Sequence, residues 1–138
     1  MDPKLPDLLE VDASNFERLM ATYINKMGFD IESKKETSDG DIHYVTKTTN
    51  PMGGKIVSLI RAGPYEKNID RPLIEELYHD MGEKGAIRAA FITTSDFTPD
   101  ALEYARDKPI SLINRYELIE SLKRTGVKID EFVPVYQA

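Results

Sequence analysis

The sequence contains no cysteine and only two histidines among its 138 residues. Without cysteine it can form no disulfide framework, no thiolate zinc site and no cysteine nucleophile, and two histidines are too few for a His-rich metal cage. No apolar run approaches the ~20 residues that a membrane-spanning helix needs. The first residues also lack the basic start and the apolar stretch of a signal peptide. We therefore expect a cytoplasmic protein with no membrane contact.

An excess of positive charge is also absent, because 24 acidic residues face 18 lysines and arginines and the formal net charge is −6. This balance argues against indiscriminate electrostatic binding to DNA, although it is compatible with a local basic patch. The length and a hydrophobic content of 41% predict one compact domain. We divide the chain into an N-terminal arm (1–13), a domain (14–126) and an apolar tail (127–138). The tail is expected to pack on the domain or on a second copy of the chain.

Hydrophobic periodicity predicts the order helix, three strands, helix, strand, helix, strand, helix. Extended segments that follow one another directly are typical of antiparallel pairs, and strands joined by helices are typical of parallel ones. The prediction is therefore an α/β domain with three layers, in which a central mixed sheet carries helices on both faces. At the start of the first helix, Ser14 and Glu17 have the spacing of a capping box.

Several segments are similar to a known nuclease family. They are residues 15–19, 38–42, 75–78, 91–101 and 110–114. The most specific is the run Phe-Ile-Thr-Thr-Ser-Asp-Phe-Thr-Pro-Asp-Ala over residues 91–101. Together they resemble the Mrr-like catalytic domain of type IV restriction endonucleases, which has the restriction-endonuclease-like fold. The resemblance implies an αβα nuclease fold over most of the chain.

The resemblance also implies a divalent-metal site, at which this chain departs from the family pattern. Such nucleases hold Mg²⁺ with carboxylates and use a nearby lysine to activate the attacking water. The family's second-strand Asp aligns with His43. Its third-strand Gln/Glu aligns with Arg61 and its Lys with Gly63, and Tyr65 is the residue on which this alignment is anchored. A hard cation prefers oxygen ligands, so an imidazole and a guanidinium indicate a degenerate motif. We expect a pseudoenzyme without a bound cofactor.

Other carboxylates leave an active enzyme open as an alternative. Glu17 matches a helix glutamate that relatives contribute to the metal site, and Asp39 and Asp41 lie next to the lost Asp position. With these three as relocated ligands, the chain would be a Mg²⁺-dependent DNA endonuclease. The other interpretation is that Glu17 is the capping partner of Ser14, and that Asp39 and Asp41 are ordinary turn and strand-start residues.

His43 and Arg61 have two interpretations of similar weight. They could bind a phosphate group in a former nuclease cleft without cleaving the nucleic acid. Alternatively, His43 is a satisfied strand histidine and Arg61 forms an ion pair with Asp41 or Glu17.

The function predicted from the sequence is an inactive Mrr-like domain that acts in DNA binding or as a partner subunit. A third possibility is a protein-interaction module, for example a homodimer, without DNA affinity. Basic side chains expected to surround the degenerate cleft are the candidate DNA contacts. They are Lys47, Lys55, Arg61, Lys67 and Arg71.

Overall fold

The computed structural model describes residues 11–37 and 40–132. The elements follow the predicted order helix, three strands, helix, strand, helix, strand, helix. They are α1 (Ala13–Lys26), β1 (Asp30–Glu36), β2 (Ile42–Thr49), β3 (Lys55–Gly63), α2 (Arg71–Lys84), β4 (Arg88–Thr93), α3 (Pro99–Ala105), β5 (Ile110–Ile113), α4 (Arg115–Thr125) and a 3₁₀ turn (Ile129–Phe132). No helix among these residues is long and apolar enough to cross a membrane.

The five strands form one sheet in the order β1-β2-β3-β4-β5. The pairs β1–β2 and β2–β3 are antiparallel, whereas β3–β4 and β4–β5 are parallel. Antiparallel neighbours can be joined by short turns, while parallel neighbours need a crossover, and here α2 and α3 supply the two crossovers. The prediction of a mixed sheet is therefore confirmed.

Each face of the sheet is covered by helices, which gives the three layers. One face, called the α1 face, packs Tyr44 and Ile60 against α1 and α4. The opposite face, called the α2 face, packs Leu59 and Phe91 against α2 and α3. Successive strand residues point to opposite faces, so neighbouring positions such as Leu59 and Ile60 belong to different cores.

The start of α1 differs from the prediction. The helix begins at Ala13, and the side chain of Asp12 caps it by accepting a hydrogen bond from the Asn15 N–H at 2.8 Å. The predicted capping box of Ser14 and Glu17 is wrong, because an acceptor two residues earlier satisfies the helix terminus. Val11 is buried, so the packed part of the chain begins before residue 14. Residues 1–10 of the predicted arm lie outside the described residues.

The described part of the apolar tail packs on the domain itself. Val127, Ile129 and Phe132 are buried in the core that contains α1. The guanidinium of Arg18 lies 5.3 Å from the centre of the Phe132 ring. This agrees with one of the two placements expected for the tail; residues 133–138 lie outside the described residues.

Candidate functional site

Strands β2 and β3 position the candidate site at one end of the sheet. The backbone of His43 lies directly opposite that of Arg61. Asp41 comes just before β2 and, two residues from His43, shares its side of the strand. The site therefore lies on the α2 face, below the first turns of α2.

A buried ion pair between Asp41 and Arg61 forms the centre of the site. The Asp41 Oδ2 atom lies 2.7 Å from Nη2 and 2.9 Å from Nε of Arg61, and the two side chains are only 6% and 8% exposed. His43 Nε2 lies 3.2 Å from the same oxygen. Glu76 of α2 approaches Arg61 Nη1 at 3.3 Å. The carboxylate of Asp41 is thus already neutralised by a side chain of the same chain.

Arg61 is held in its charged state by these neighbours. Burial opposes protonation, but the hydrogen bond and the charge of Asp41, together with Glu76, raise the pKa of Arg61 above its usual value. The guanidinium also lies 5.4 Å from the centre of the Phe91 ring, within the range of a cation–π interaction. Arg61 is therefore a fixed positive charge on the α2 face.

The position of Gly63 is covered by an aromatic ring. A Cβ atom placed on Gly63 would lie 2.5 Å from Cε2 of Tyr65. The Tyr65 ring in turn packs against Phe91, with 5.9 Å between ring centres. Any side chain at position 63 would have to displace this ring. The packing of Tyr65 therefore explains why glycine stands at this position, which the sequence alone did not indicate.

Glu17 lies on the other side of the sheet from this ion pair. Its carboxylate forms an ion pair with Lys34 of β1, whose backbone partner is Tyr44 of the α1 face. Asp39 falls outside the described residues. Among residues 11–37 and 40–132, no group of three His, Asp or Glu side chains is arranged to hold a metal ion. The residues at the β2–β3 site do not fit Mg²⁺ either, because both of its carboxylates, Asp41 and Glu76, are paired with the guanidinium of Arg61.

The buried Tyr44 and the partly buried Tyr65 give a pH prediction. Burial, together with the charges of Glu17 and Glu36, raises the pKa of Tyr44; burial and the neighbouring Asp41 raise that of Tyr65, against the opposing effect of Arg61. Above a pH of about 10 the unfolded chain loses these protons while the folded chain retains them. The free energy of unfolding should therefore be unaffected below pH 10 and fall above it.

Urea unfolding between pH 8 and 11 measures this effect. Above pH 10, the free energy of unfolding of Tyr44→Phe should fall less steeply with pH than that of the parent chain, by about 1.4 kcal/mol per pH unit, which is the contribution of one titrating proton. An unchanged slope in both Tyr44→Phe and Tyr65→Phe would contradict the prediction.

Comparison with known proteins follows from this fold and site. The family described as Mrr_cat, restriction endonuclease, matches residues 8–122. The chain belongs to the Mrr restriction endonuclease family. It is 29% identical over 110 residues to the type IV methyl-directed restriction enzyme EcoKMrr of Escherichia coli (strain K12). The matched region makes up 76% of this chain and 36% of that enzyme. This Mrr-family chain thus spans about a third of the relative's length.

Two solved structures share the fold. The DNA modification-dependent restriction endonuclease AspBHI has a TM-score of 0.64 at 16% identity, over 94% of this chain and 39% of AspBHI. The MspJI restriction endonuclease in complex with a 27-mer oligonucleotide has a TM-score of 0.56 at 16% identity, over 86% of this chain and 30% of MspJI. The restriction-endonuclease-like fold predicted from the resemblance is therefore confirmed.

Two of the five candidate DNA contacts, Lys47 and Lys55, lie away from the cleft, although the sequence analysis placed them around it. The register places Lys55 opposite Thr49, six residues along the hairpin from the pair of His43 and Arg61. At ~3.4 Å per residue, this separation is about 20 Å. Lys47, four residues from His43, lies about 14 Å from it, so both lysines lie away from the site, toward the other end of the α2 face. The correction reflects strand register, which the order of residues along the chain does not reveal.

The other three candidate DNA contacts differ from one another in exposure. Arg61 is buried in its ion pair and offers no free surface to a phosphate. Arg71 is exposed, lies 3.1 Å from Glu75 and stacks at 4.9 Å on the ring of Tyr104. Lys67 is exposed and lies beyond the end of β3.

Glu76 and Phe91 are site residues that sequence reasoning missed. Glu76 contacts Arg61 from α2, and Phe91 contacts it from β4. The available signal was the crossover from β3 through α2 to β4, because such a connection places the helix over the two strands that it joins. Only the rotation of α2 decides which of its acidic residues faces Arg61.

Proposed function

We propose that this Mrr-family domain has lost metal-dependent cleavage and binds DNA without cutting it. The observation that carries the proposal is the buried ion pair of Asp41 and Arg61, on the two strands at which the family resemblance expects the metal ligands. The guanidinium of Arg61 donates to the Oδ2 atom of Asp41 from Nη2 at 2.7 Å and from Nε at 2.9 Å. A dication would have to break this pair and would be repelled by the arginine.

The remaining positions support the same conclusion. His43 offers a nitrogen where Mg²⁺ prefers oxygen, and Gly63 supplies no amine that could orient an attacking water. Tyr65 fills the space next to Gly63. We therefore assign no step of phosphodiester hydrolysis to these residues and expect no metal cofactor.

DNA as the partner is supported by the relatives. MspJI was solved with an oligonucleotide, and EcoKMrr is a methyl-directed restriction enzyme. A family scaffold that loses its metal ligands keeps its overall shape, and contacts to the phosphate backbone do not require a metal. In a longer protein or a complex, such a domain would contribute DNA binding to a partner subunit that cleaves.

Plasmid nicking and electrophoretic mobility shift assays test this proposal. With Mg²⁺ or Mn²⁺, supercoiled plasmid should stay intact, and a shift of duplex DNA should be present with or without metal. Asp41→Ala and Glu17→Ala serve as matched controls on the two faces of the sheet. Metal-dependent cleavage that disappears in either variant would refute the loss of catalysis, whereas cleavage that persists in both comes from a contaminating nuclease.

A further inference from the structure

The hairpin of β2 and β3 projects beyond the rest of the sheet. On one side, the β1–β2 pairing ends where Asp30 faces Lys47; on the other, the β3–β4 pairing begins where Ser58 faces Arg88. Residues 48–56 therefore form a two-stranded ribbon with no neighbouring strand among the described residues, whereas the carbonyl of Val57 still accepts a hydrogen bond from the N–H of Ile87 at 3.1 Å. Two residues of each strand, 48–49 and 55–56, extend about 7 Å past the sheet, before the turn is added.

The tip of this ribbon is rigid and presents an apolar side chain. The Asn50 side-chain oxygen accepts hydrogen bonds from the N–H groups of Met52 at 2.9 Å and Gly54 at 2.8 Å. The backbone of Asn50 adds two further bonds, one with Gly53 and one with Gly54. Met52 is nevertheless 93% exposed, the highest value among the exposed large hydrophobic side chains of the described residues. A well-ordered turn thus presents one apolar side chain to solvent at the end of the ribbon.

Basic side chains surround the base of the ribbon. Helices α1 and α2 both end at this end of the sheet, and β4 begins there. The exposed basic residues are Lys26, Lys47, Lys55, Lys84 and Arg88, and the acidic residues of the same region are Asp30, Glu32, Asp80 and Glu83. Within the described part of the chain, only Lys55 of these five forms an ion pair, with Glu32 at 2.7 Å. The local charge is therefore positive although the whole chain is acidic.

We infer that the hairpin surface, defined as residues 47–57 with Lys26, Lys84 and Arg88, inserts into a groove of duplex DNA. The major groove is about 12 Å wide and admits a two-stranded β-ribbon. Apolar side chains that enter the major groove contact thymine methyl groups, so Met52 would face the base edges while lysines beside the ribbon reach the phosphates. An acidic protein would also attract the lysines, but a narrow ribbon with one apolar tip fits a groove better than a flat protein surface.

This inference rests on the proposed DNA binding and assigns it to a particular surface. The contact lies toward the opposite end of β2 and β3 from Asp41 and Arg61: by strand register, Lys55 is about 20 Å and Lys47 about 14 Å from the pair of His43 and Arg61. The degenerate site and the DNA-contacting surface would then be separate features of the domain.

Fluorescence anisotropy with a labelled 20-base-pair duplex, measured over a series of salt concentrations, tests the inference. The double variant Lys47→Ala/Lys55→Ala should bind the duplex about tenfold more weakly. The slope of log affinity against log salt concentration should become shallower by about two, one for each lost phosphate contact. Met52→Ala should weaken binding at an unchanged slope, because it removes no charge. The matched control is Lys34→Ala/Lys35→Ala, which removes two exposed lysines from the site end of β1; Lys34 is ion-paired with Glu17, as Lys55 is with Glu32.

Each outcome decides the inference. Equal losses in the two double variants would overturn it in favour of bulk electrostatics. Hairpin variants that bind like the parent chain would overturn it while leaving the proposed DNA binding intact, and a parent chain that does not bind duplex DNA would overturn both. Competition by polyglutamate as effective as by DNA, at equal charge, would assign the surface to acidic proteins instead. Unchanged melting temperatures confirm that these exposed substitutions leave the fold intact.

Discussion

Arg61→Met should lower the free energy of unfolding by about 3–5 kcal/mol, because removing one partner leaves the other charge buried and unpaired. Asp41 is only 6% exposed and has no other cation within ion-pair distance among the described residues except His43. Urea unfolding at pH 7 measures the loss. Asp41→Asn in the Arg61→Met background should restore a large part of it, since no buried charge then remains.

Arg106→Met is the control for this substitution. Arg106 pairs with Glu103 at 2.6 Å, but both side chains are more than 60% exposed. An exposed pair of this kind contributes between 0 and about 1 kcal/mol. If Arg61→Met were no more destabilising than Arg106→Met, the ion pair would not be the central feature that we assign to the site.

Phe91→Ala should also destabilise the domain by about 3–5 kcal/mol, the usual cost of deleting a fully buried aromatic ring. Phe91 is 0% exposed in a central strand, and its ring centre lies 5.9 Å from those of both Tyr65 and Phe97. The substitution leaves a cavity beneath Arg61 and removes the support of the Tyr65 ring. Chemical denaturation measures the stability, and near-ultraviolet circular dichroism measures the loosening of the tyrosines.

Leu102→Ala provides the comparison for the buried phenylalanine. Leu102 is 51% exposed on α3, so its truncation should change stability by no more than about 0.5 kcal/mol. A similar small effect for Phe91→Ala would mean that the α2 face repacks around the missing ring.

The order of the elements and the fold family could be predicted from the sequence because both depend on local information. Periodic apolar residues define each helix and strand, and Thr98 before Pro99 marks a helix start that the structure reproduces. The specific run over residues 91–101 carried the family resemblance. The strand positions of His43 and Arg61 were also predictable, since they follow from alternation along two strands joined by a short turn.

The helix cap at α1 and the partners of the charged residues were not predictable in this way. Both Ser14 and Asp12 are residue types that cap helices, and the structure has Asp12 as the cap, next to the buried Val11. Glu17 was the other possible partner for Arg61. Because α1 packs on the opposite side of the sheet from Arg61, Glu17 pairs with Lys34 instead.

The sequence by itself determined which side chains this domain has for chemistry: a histidine, an arginine and a glycine at the strand positions of a nuclease site, and an acidic total charge. Only the tertiary structure decided how they are paired. It buried Arg61 against Asp41, covered Gly63 with Tyr65 and separated Lys47 and Lys55 from the site. The physical reason is that ion pairs and surfaces depend on strand register and helix rotation, which are set by the packing of both cores together.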